Sequence, residues 1–199
     1  VAIFGAGGQG RTQLEAVCSV RPIRRALVFD SNRSQAERYV DEMRGRGAPL
    51  PADISVADDP QEAARQADVI CTATTSKTPV FSGANLRPGT HVNAVGAYTP
   101  EMQEIDVDTI RRAKVVVDSR DAALSEAGDL IIPLKQGLIT PAHVHAELGE
   151  VVAGLKPGRE NEEDITFFKS VGVAVQDVAA ACRALREAQE RGLGTEVEL

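Results

Sequence analysis

At 199 residues with 43% hydrophobic content, the chain is long enough to bury one full core and short enough to form one domain, or one domain plus an appendage. A formal net charge of −7 with no basic cluster argues against nucleic acid as a partner, and no segment has the length of a membrane span or the pattern of a signal peptide. Three cysteines, Cys18, Cys71 and Cys182, are far apart and form no CxxC pair, which fits buried thiols in a reducing, cytoplasmic setting.

The chain opens on the apolar run Val1-Ala2-Ile3-Phe4, followed at once by Gly5-Ala6-Gly7-Gly8-Gln9-Gly10. The order predicts a first strand turning into a helix over about Gly8 to Val20. In such a turn Gly5 permits the tight bend, Gly7 lets the backbone approach a pyrophosphate, and Gly10 lets the helix pack closely on the strand. The helix would then aim its free N–H groups and positive dipole end at the phosphates. A strand that opens a parallel sheet normally follows earlier chain, so an upstream segment is expected.

The second strand, Ala26-Leu27-Val28-Phe29-Asp30, supplies an acidic residue about 20 residues beyond the turn, where a dinucleotide signature places one on the ribose hydroxyls. Asp30 favours NAD, because it would repel a 2′-phosphate. Arg33 could pair with that phosphate, so NADP stays possible. From Arg33 to Arg46, Ala36, Tyr39, Val40 and Met43 recur at helical spacing. A loop over Gly45 to Pro51 and a short third strand, Ile54-Ser55-Val56, come next. Asp58-Asp59-Pro60 caps a helix that ends near Gln66.

Asp68 to Thr72 reads as a fourth strand, Thr90 to Gly96 as a fifth and Lys114 to Asp118 as a sixth. Short apolar strands alternating with helices predict an α/β fold, a Rossmann-type doubly wound parallel sheet. In such sheets ligands bind at the carboxyl ends of the strands, where strand order reverses. That rule selects Thr72, Ala73 and Thr74 after the fourth strand for the cofactor groove. After the fifth it selects Val95, Gly96 and Ala97 for the nicotinamide, with Tyr98 facing a substrate.

Beyond Asp118 the pattern loosens, with helical stretches near Ala122 to Ala127 and Glu147 to Ala153, and a polar loop from Pro157 to Asp164. Apolar chain resumes at Ile165-Thr166-Phe167-Phe168. A long helix is expected from Ser170 to about Glu190, with Val171, Val175, Val178, Ala181, Leu185 and Ala188 on one face and Gly192 as its stop. The pattern divides the chain into a dinucleotide-binding domain, 1–165, and a strand and helix segment, 166–199, packing on it. His143 and His145 lack further ligands at metal spacing and read as surface residues at a helix start; His91 reads as a strand-edge residue. Ser125-Glu126, Glu147 and Glu150 are explained by helix-surface charge, which leaves no general acid or base facing the nicotinamide.

Six blocks together carry a resemblance: Val1 to Gly10, Thr90 to Ala97, Val117 to Arg120, Glu126 to Asp129, Glu147 to Glu150, and Thr166 to Gly172. They resemble the ornithine cyclodeaminase and mu-crystallin family from end to end. The resemblance implies NAD or NADP in a Rossmann domain and hydride chemistry at amine or imine carbons, as in ornithine cyclodeaminases, archaeal-type alanine dehydrogenases, ketimine reductases and pyrroline-carboxylate reductases. It implies an N-terminal substrate domain, absent from this chain, whose Lys and Arg handle an amino or imino acid and its carboxylate, and a homodimer in the intact protein. Carried over, it places Gly8 and Gln9 on the pyrophosphate, Asp30 on the ribose, Thr72 and Thr74 along the groove, and Val95 to Ala97 near the nicotinamide. Ser170, expected at the start of the last helix, falls beside cofactor and substrate. Tyr98 stands where ornithine cyclodeaminases carry a carboxylate, and a phenol of pKa near 10 is a poor base at neutral pH. An imine reductase or amino-acid dehydrogenase is therefore expected rather than a true cyclodeaminase. The alternative is a non-catalytic NAD(P)-binding carrier of the mu-crystallin type.

Overall fold

Side chains alternate across a strand, and here that alternation fills two separate cores. In the computed structural model, which describes residues 1–195 and 197, β1 (Ala2–Phe4) turns Ile3 to one face and Ala2 and Phe4 to the other. β2 (Arg25–Phe29) splits Ala26 and Val28 from Leu27 in the same way, and β4 (Val69–Thr72) splits Cys71 from Ile70. On the Ile3 face lie α1 (Gly8–Val20) and α2 (Arg33–Arg44), which bury Leu14, Val17, Ala36, Tyr39 and Met43. On the opposite face α3 (Pro60–Gln66), α4 (Val107–Arg112), α5 (Arg120–Glu126) and α6 (Gly128–Lys135) contribute Ala63, Ala64, Ile110, Ala123 and Leu130.

With β3 (Asp53–Val56), β5 (His91–Ala94), β6 (Ala113–Val117), β7 (Val144–Glu147) and β8 (Ile165–Lys169), the strands form one sheet ordered β3-β2-β1-β4-β5-β8-β6-β7. Every pairing is parallel. The chain winds outward from β1 through β2 to β3, then crosses back to place β4 on the other side of β1. Order reverses there, which opens a crevice at the carboxyl ends of β1 and β4.

Local chemistry sets the helix starts. The Asn32 side chain accepts from Gln35 N at 3.3 Å to cap α2, and Asp59 accepts from Gln61 N at 2.8 Å to cap α3, with Pro60 in its first turn. α1 differs: its N-cap is Gly7, no side chain caps it, and its first turn carries no acidic residue.

The C-terminal third departs from the sequence expectation in three ways. First, β8 lies inside the sheet, hydrogen-bonded to β5 and β6, so a boundary at 165/166 would divide the sheet from one of its central strands. Second, the last helix, α8 (Ala174–Glu190), begins after Ser170 and Val171 rather than at them. The cause is Asp118, whose Oδ2 accepts the N–H of Val171 at 2.9 Å and of Gly172 at 2.7 Å and holds that backbone out of helix. Third, no residue of α8 is buried, so the helix does not pack on the sheet, and Cys182 is exposed where a buried thiol was expected. Glu196, Glu198 and Leu199, the end of the 166–199 segment, lie outside the described residues.

β7 was also unforeseen. His145 sits on that edge strand and His143 on the 3-10 turn before it, not at a helix start. Over β5, β8 and β6, the sheet face on the α1 side carries a groove of about 710 Å³, lined by the end of α1, by His91, Asn93, Thr166 and Phe168, and by Leu148 and Val151 of α7 (Leu148–Val152).

Candidate functional site

Strand order brings the selected residues into one row. The carboxyl ends of β2, β1, β4, β5 and β8 are successive neighbours, so Asp30, the glycine turn, Thr72 to Thr74, Val95 to Ala97 and Ser170 follow one another along a single edge. The row crosses four inter-strand steps, about 19 Å at ordinary strand spacing. Ladder bonds carry the register into the loops: Gly5 N donates to Phe29 O at 2.9 Å, Ala73 N to Phe4 O at 2.8 Å, Val95 N to Thr72 O at 2.9 Å and Ser170 N to Ala94 O at 3.1 Å.

The glycines of the turn divide into two kinds. Gly5 has φ +99°, and a Cβ there would lie 2.5 Å from Ala73 O; a Cβ on Gly10 would lie 2.2 Å from Gly5 O. Those two are glycine because the fold itself closes on them. Around Gly7 and Gly8 a Cβ would meet nothing within 4 Å. Gly8 and Gln9 are exposed, and the uncapped first turn of α1 offers its N–H groups and dipole to that open space. An anion such as a phosphate fits this position without displacing any protein group.

Beside the turn, Asp30 Oδ2 accepts Ala6 N and Asp30 Oδ1 accepts Asn32 N, each at 2.8 Å. An ionised carboxylate has about four acceptor positions, so two remain for hydroxyl groups. Arg33 is held by Glu37 at 3.0 Å and by Asp58, and the bond to Asp58 foremost raises its pKa above the usual guanidinium value. Both carboxylates compete with any phosphate for that guanidinium.

At the other end of the row, a residue the sequence did not single out organises the loops. Glu104 is fully buried, and its carboxylate accepts four bonds: from Thr72 Oγ1 at 3.0 Å, Thr74 N at 2.6 Å, Gly96 N at 2.8 Å and Ala97 N at 3.0 Å. Burial pushes its pKa above the usual carboxylate range, against the opposing pull of the Thr74 N–H. Glu104 N and Ile105 N in turn donate to Asp129 Oδ1 at 2.7 and 3.0 Å, and Asp129 Oδ2 lies 3.0 Å from Lys169 Nζ. Asp129 and Lys169 are also fully buried, and that ion pair is held by charge, since neither Asp129 Oδ2 nor Lys169 Nζ has a hydrogen bond of good geometry.

Glu104 corrects one expectation. Thr72 is fully buried with its hydroxyl committed inward, so it supports the groove instead of lining it; Ala73, Thr74 and Val95 stay partly open. Gly96 is required by the fold itself, since a Cβ would lie 2.3 Å from Thr74 O and 2.6 Å from Glu104 Oε1. Ala97 is buried beside it, and Tyr98 is 52% exposed at the rim. Ser170 closes the row, donating from Oγ to Asp118 Oδ2 at 2.8 Å.

The histidines lie apart from this edge. His91 begins β5 in the interior of the sheet and contacts Thr166 Oγ1 at 2.7 Å and Asn93 Oδ1 at 3.0 Å, while His143 contacts Thr140 and His145 contacts Pro157 O. Among the described residues, no group of three or more His, Cys, Asp or Glu side chains is arranged to hold a metal ion, and no helix is long and apolar enough to cross a membrane.

Similar sequences with the same fold occur in known proteins. Δ1-Pyrroline-2-carboxylate reductase of Bacillus cereus is 44% identical over 202 residues, a match that covers 100% of this chain and 60% of that protein. The structure of Thermococcus litoralis Δ1-pyrroline-2-carboxylate reductase with NADH and L-proline superposes with a TM-score of 0.92 at 46% identity, covering 98% of this chain and 60% of that one. An archaeal alanine dehydrogenase dimer with bound NAD gives a TM-score of 0.88 at 38% identity, covering 99% and 59%. The chain thus spans about 60% of the length of the relatives it matches. With residues 1–192 matching the family as a whole, the chain belongs to the ornithine cyclodeaminase/mu-crystallin family.

Proposed function

We propose that the chain is the cofactor-binding portion of an NAD(P)-dependent oxidoreductase that acts at the amine or imine carbon of an amino acid or cyclic imino acid, with NAD preferred. The observation that carries this is the pairing of an uncapped, anion-ready α1 N-terminus with Asp30 on the neighbouring strand end. When bound, the dinucleotide supplies or accepts a hydride. Open space beside Gly7 and Gly8 takes the pyrophosphate, and Asp30 accepts from the adenosine ribose. Arg33, already engaged by Glu37 and Asp58, is poorly placed to reward a 2′-phosphate.

Ala73, Thr74 and Val95 to Ala97 form the nicotinamide half, with Ser170 and Tyr98 bordering the substrate. Residues that clamp the substrate carboxylate and move the proton belong, in this proposal, to a substrate domain within the relatives' additional length. The relatives' names, a reductase of a cyclic imine and an alanine dehydrogenase, support that substrate class. A homodimer is proposed from the dimeric alanine dehydrogenase, and a cytoplasmic setting from the three free thiols.

Titration of the chain with NADH and NADPH tests the first half; binding of neither would overturn it. For catalysis, the parent protein is assayed for NADH oxidation with Δ1-pyrroline-2-carboxylate and with pyruvate plus ammonia. Nucleotide binding without turnover of any amino or imino acid would instead favour the carrier reading.

A further inference from the structure

Past the last ladder bond, Val95 N to Thr72 O, the loops after β4 and β5 have no sheet to hold them together. Thr74 N, Gly96 N and Ala97 N instead turn inward to one carboxylate, and the Thr72 hydroxyl joins them. Thr72 Oγ1, Gly96 N and Ala97 N converge on Oε2 and Thr74 N reaches Oε1, so both oxygens must accept, as those of a carboxylate do. A carboxamide of the same shape has a single acceptor oxygen, and its NH₂ would face an N–H.

The carboxylate is itself anchored from beneath. Asp129, in the first turn of α6, receives the backbone N–H groups of Glu104 and Ile105 and faces Lys169 at the end of β8. Three fully buried charged side chains therefore tie β4, β5, β8 and α6 together beneath one half of the edge. The glycine turn and Asp30 are fastened by other bonds, to Phe29 O, Ala6 N and Asn32 N, and none of these involves Glu104.

We propose that Glu104 is the positioning residue of the nicotinamide half of the groove, fixing the separation of the Ala73–Thr74 and Val95–Ala97 loops while the adenosine half is set independently. This rests on the dinucleotide reading of the edge. Glu104 touches neither cofactor nor substrate; it acts through the backbone that does.

ADP carries only the adenosine and the two phosphates, and NADH fills both halves, so calorimetric titration of the full chain with each separates positioning from general destabilisation. In Glu104→Gln the NADH Kd should rise about tenfold or more, the equivalent of one well-made buried hydrogen bond, while the ADP Kd stays within about twofold. Thr72→Val removes one of the four donors and keeps the carboxylate; its NADH Kd should rise about threefold with ADP binding unchanged. If Glu104→Gln does not fold, Thr72→Val decides. Parallel weakening of both ligands, or NADH binding unchanged, overturns the inference and leaves the dinucleotide reading intact. Wild-type protein that binds neither ligand overturns both.

Discussion

Asp30 Oδ2 accepts the backbone N–H of Ala6 at 2.8 Å, so the carboxylate that ends β2 is bonded to the glycine turn that ends β1. One side chain thus braces the phosphate turn and faces the position of a ribose. Replacing it removes charge-assisted bonds of about 1.5–3 kcal/mol. Asp30→Ala should weaken NAD binding about tenfold to a hundredfold and NADP binding much less, because the repulsion of a 2′-phosphate goes with the carboxylate. Fluorescence titration with both nucleotides checks this. Equal losses would show that Asp30 serves the turn alone.

Gly7 and Gly10 should respond to added side chains in opposite ways. A Cβ on Gly7 meets nothing within 4 Å, whereas one on Gly10 lies 2.2 Å from Gly5 O. Gly7→Val should therefore abolish nucleotide binding while changing stability by no more than about 1 kcal/mol, the scale of an N-cap substitution. Gly10→Ala should cost about 1–3 kcal/mol or more through overpacking. Urea denaturation beside ligand titration distinguishes the two. Retained binding in Gly7→Val would place the cofactor elsewhere.

How far the sequence revealed the site follows from the range of the interactions involved. Gly5 to Gly10, Asp30 and the hydroxyl run after Thr72 are legible because turn chemistry and strand ends are local, and the parallel sheet then aligns them. Glu104 is not legible, because its meaning lies in Thr72, Thr74 and Gly96 folding back onto it and in Asp129 reaching its backbone from α6. A lone Glu between Gln103 and Ile105 carries no periodic or motif signal. The place of β8 is hidden for a similar reason: the sequence offers a strand in an appended segment, and nothing local tells Ile165 to Lys169 to insert between β5 and β6. The start of α8 was misplaced because Asp118, more than fifty residues earlier, captures the N–H groups of Val171 and Gly172.

The buried pair of Asp129 and Lys169 should be asymmetric. In Lys169→Met, Asp129 keeps the N–H groups of Glu104 and Ile105 on Oδ1. In Asp129→Leu, Lys169 loses the acidic partner at 3.0 Å, and both backbone N–H groups are orphaned. Breaking a buried pair costs about 3–5 kcal/mol, so both variants should be destabilised, with Asp129→Leu the worse by about 1–3 kcal/mol for the groups left unbonded. Equilibrium unfolding in urea measures the order, and a reversed order would mean that Lys169 anchors the cluster.

His91 predicts how stability changes with pH. Burial holds its imidazole below the usual range, with Arg159 and Arg21 adding to the shift and the bond to Asn93 opposing it. In the fold the ring stays neutral: its contact with Asn93 Oδ1 suits a protonated Nε2, and Thr166 Oγ1, which accepts from Arg159, is free to donate to Nδ1. As pH falls through about 6.5 the unfolded chain takes up a proton that the native state refuses, so stability declines from there down to the depressed native pKa. His91→Gln should cost about 1 kcal/mol near neutrality and flatten that slope. Urea midpoints at about pH 7.5 and about pH 5.5 for both proteins test it. If the variant loses as much stability on acidification as the wild type, the acid sensitivity arises from groups other than His91.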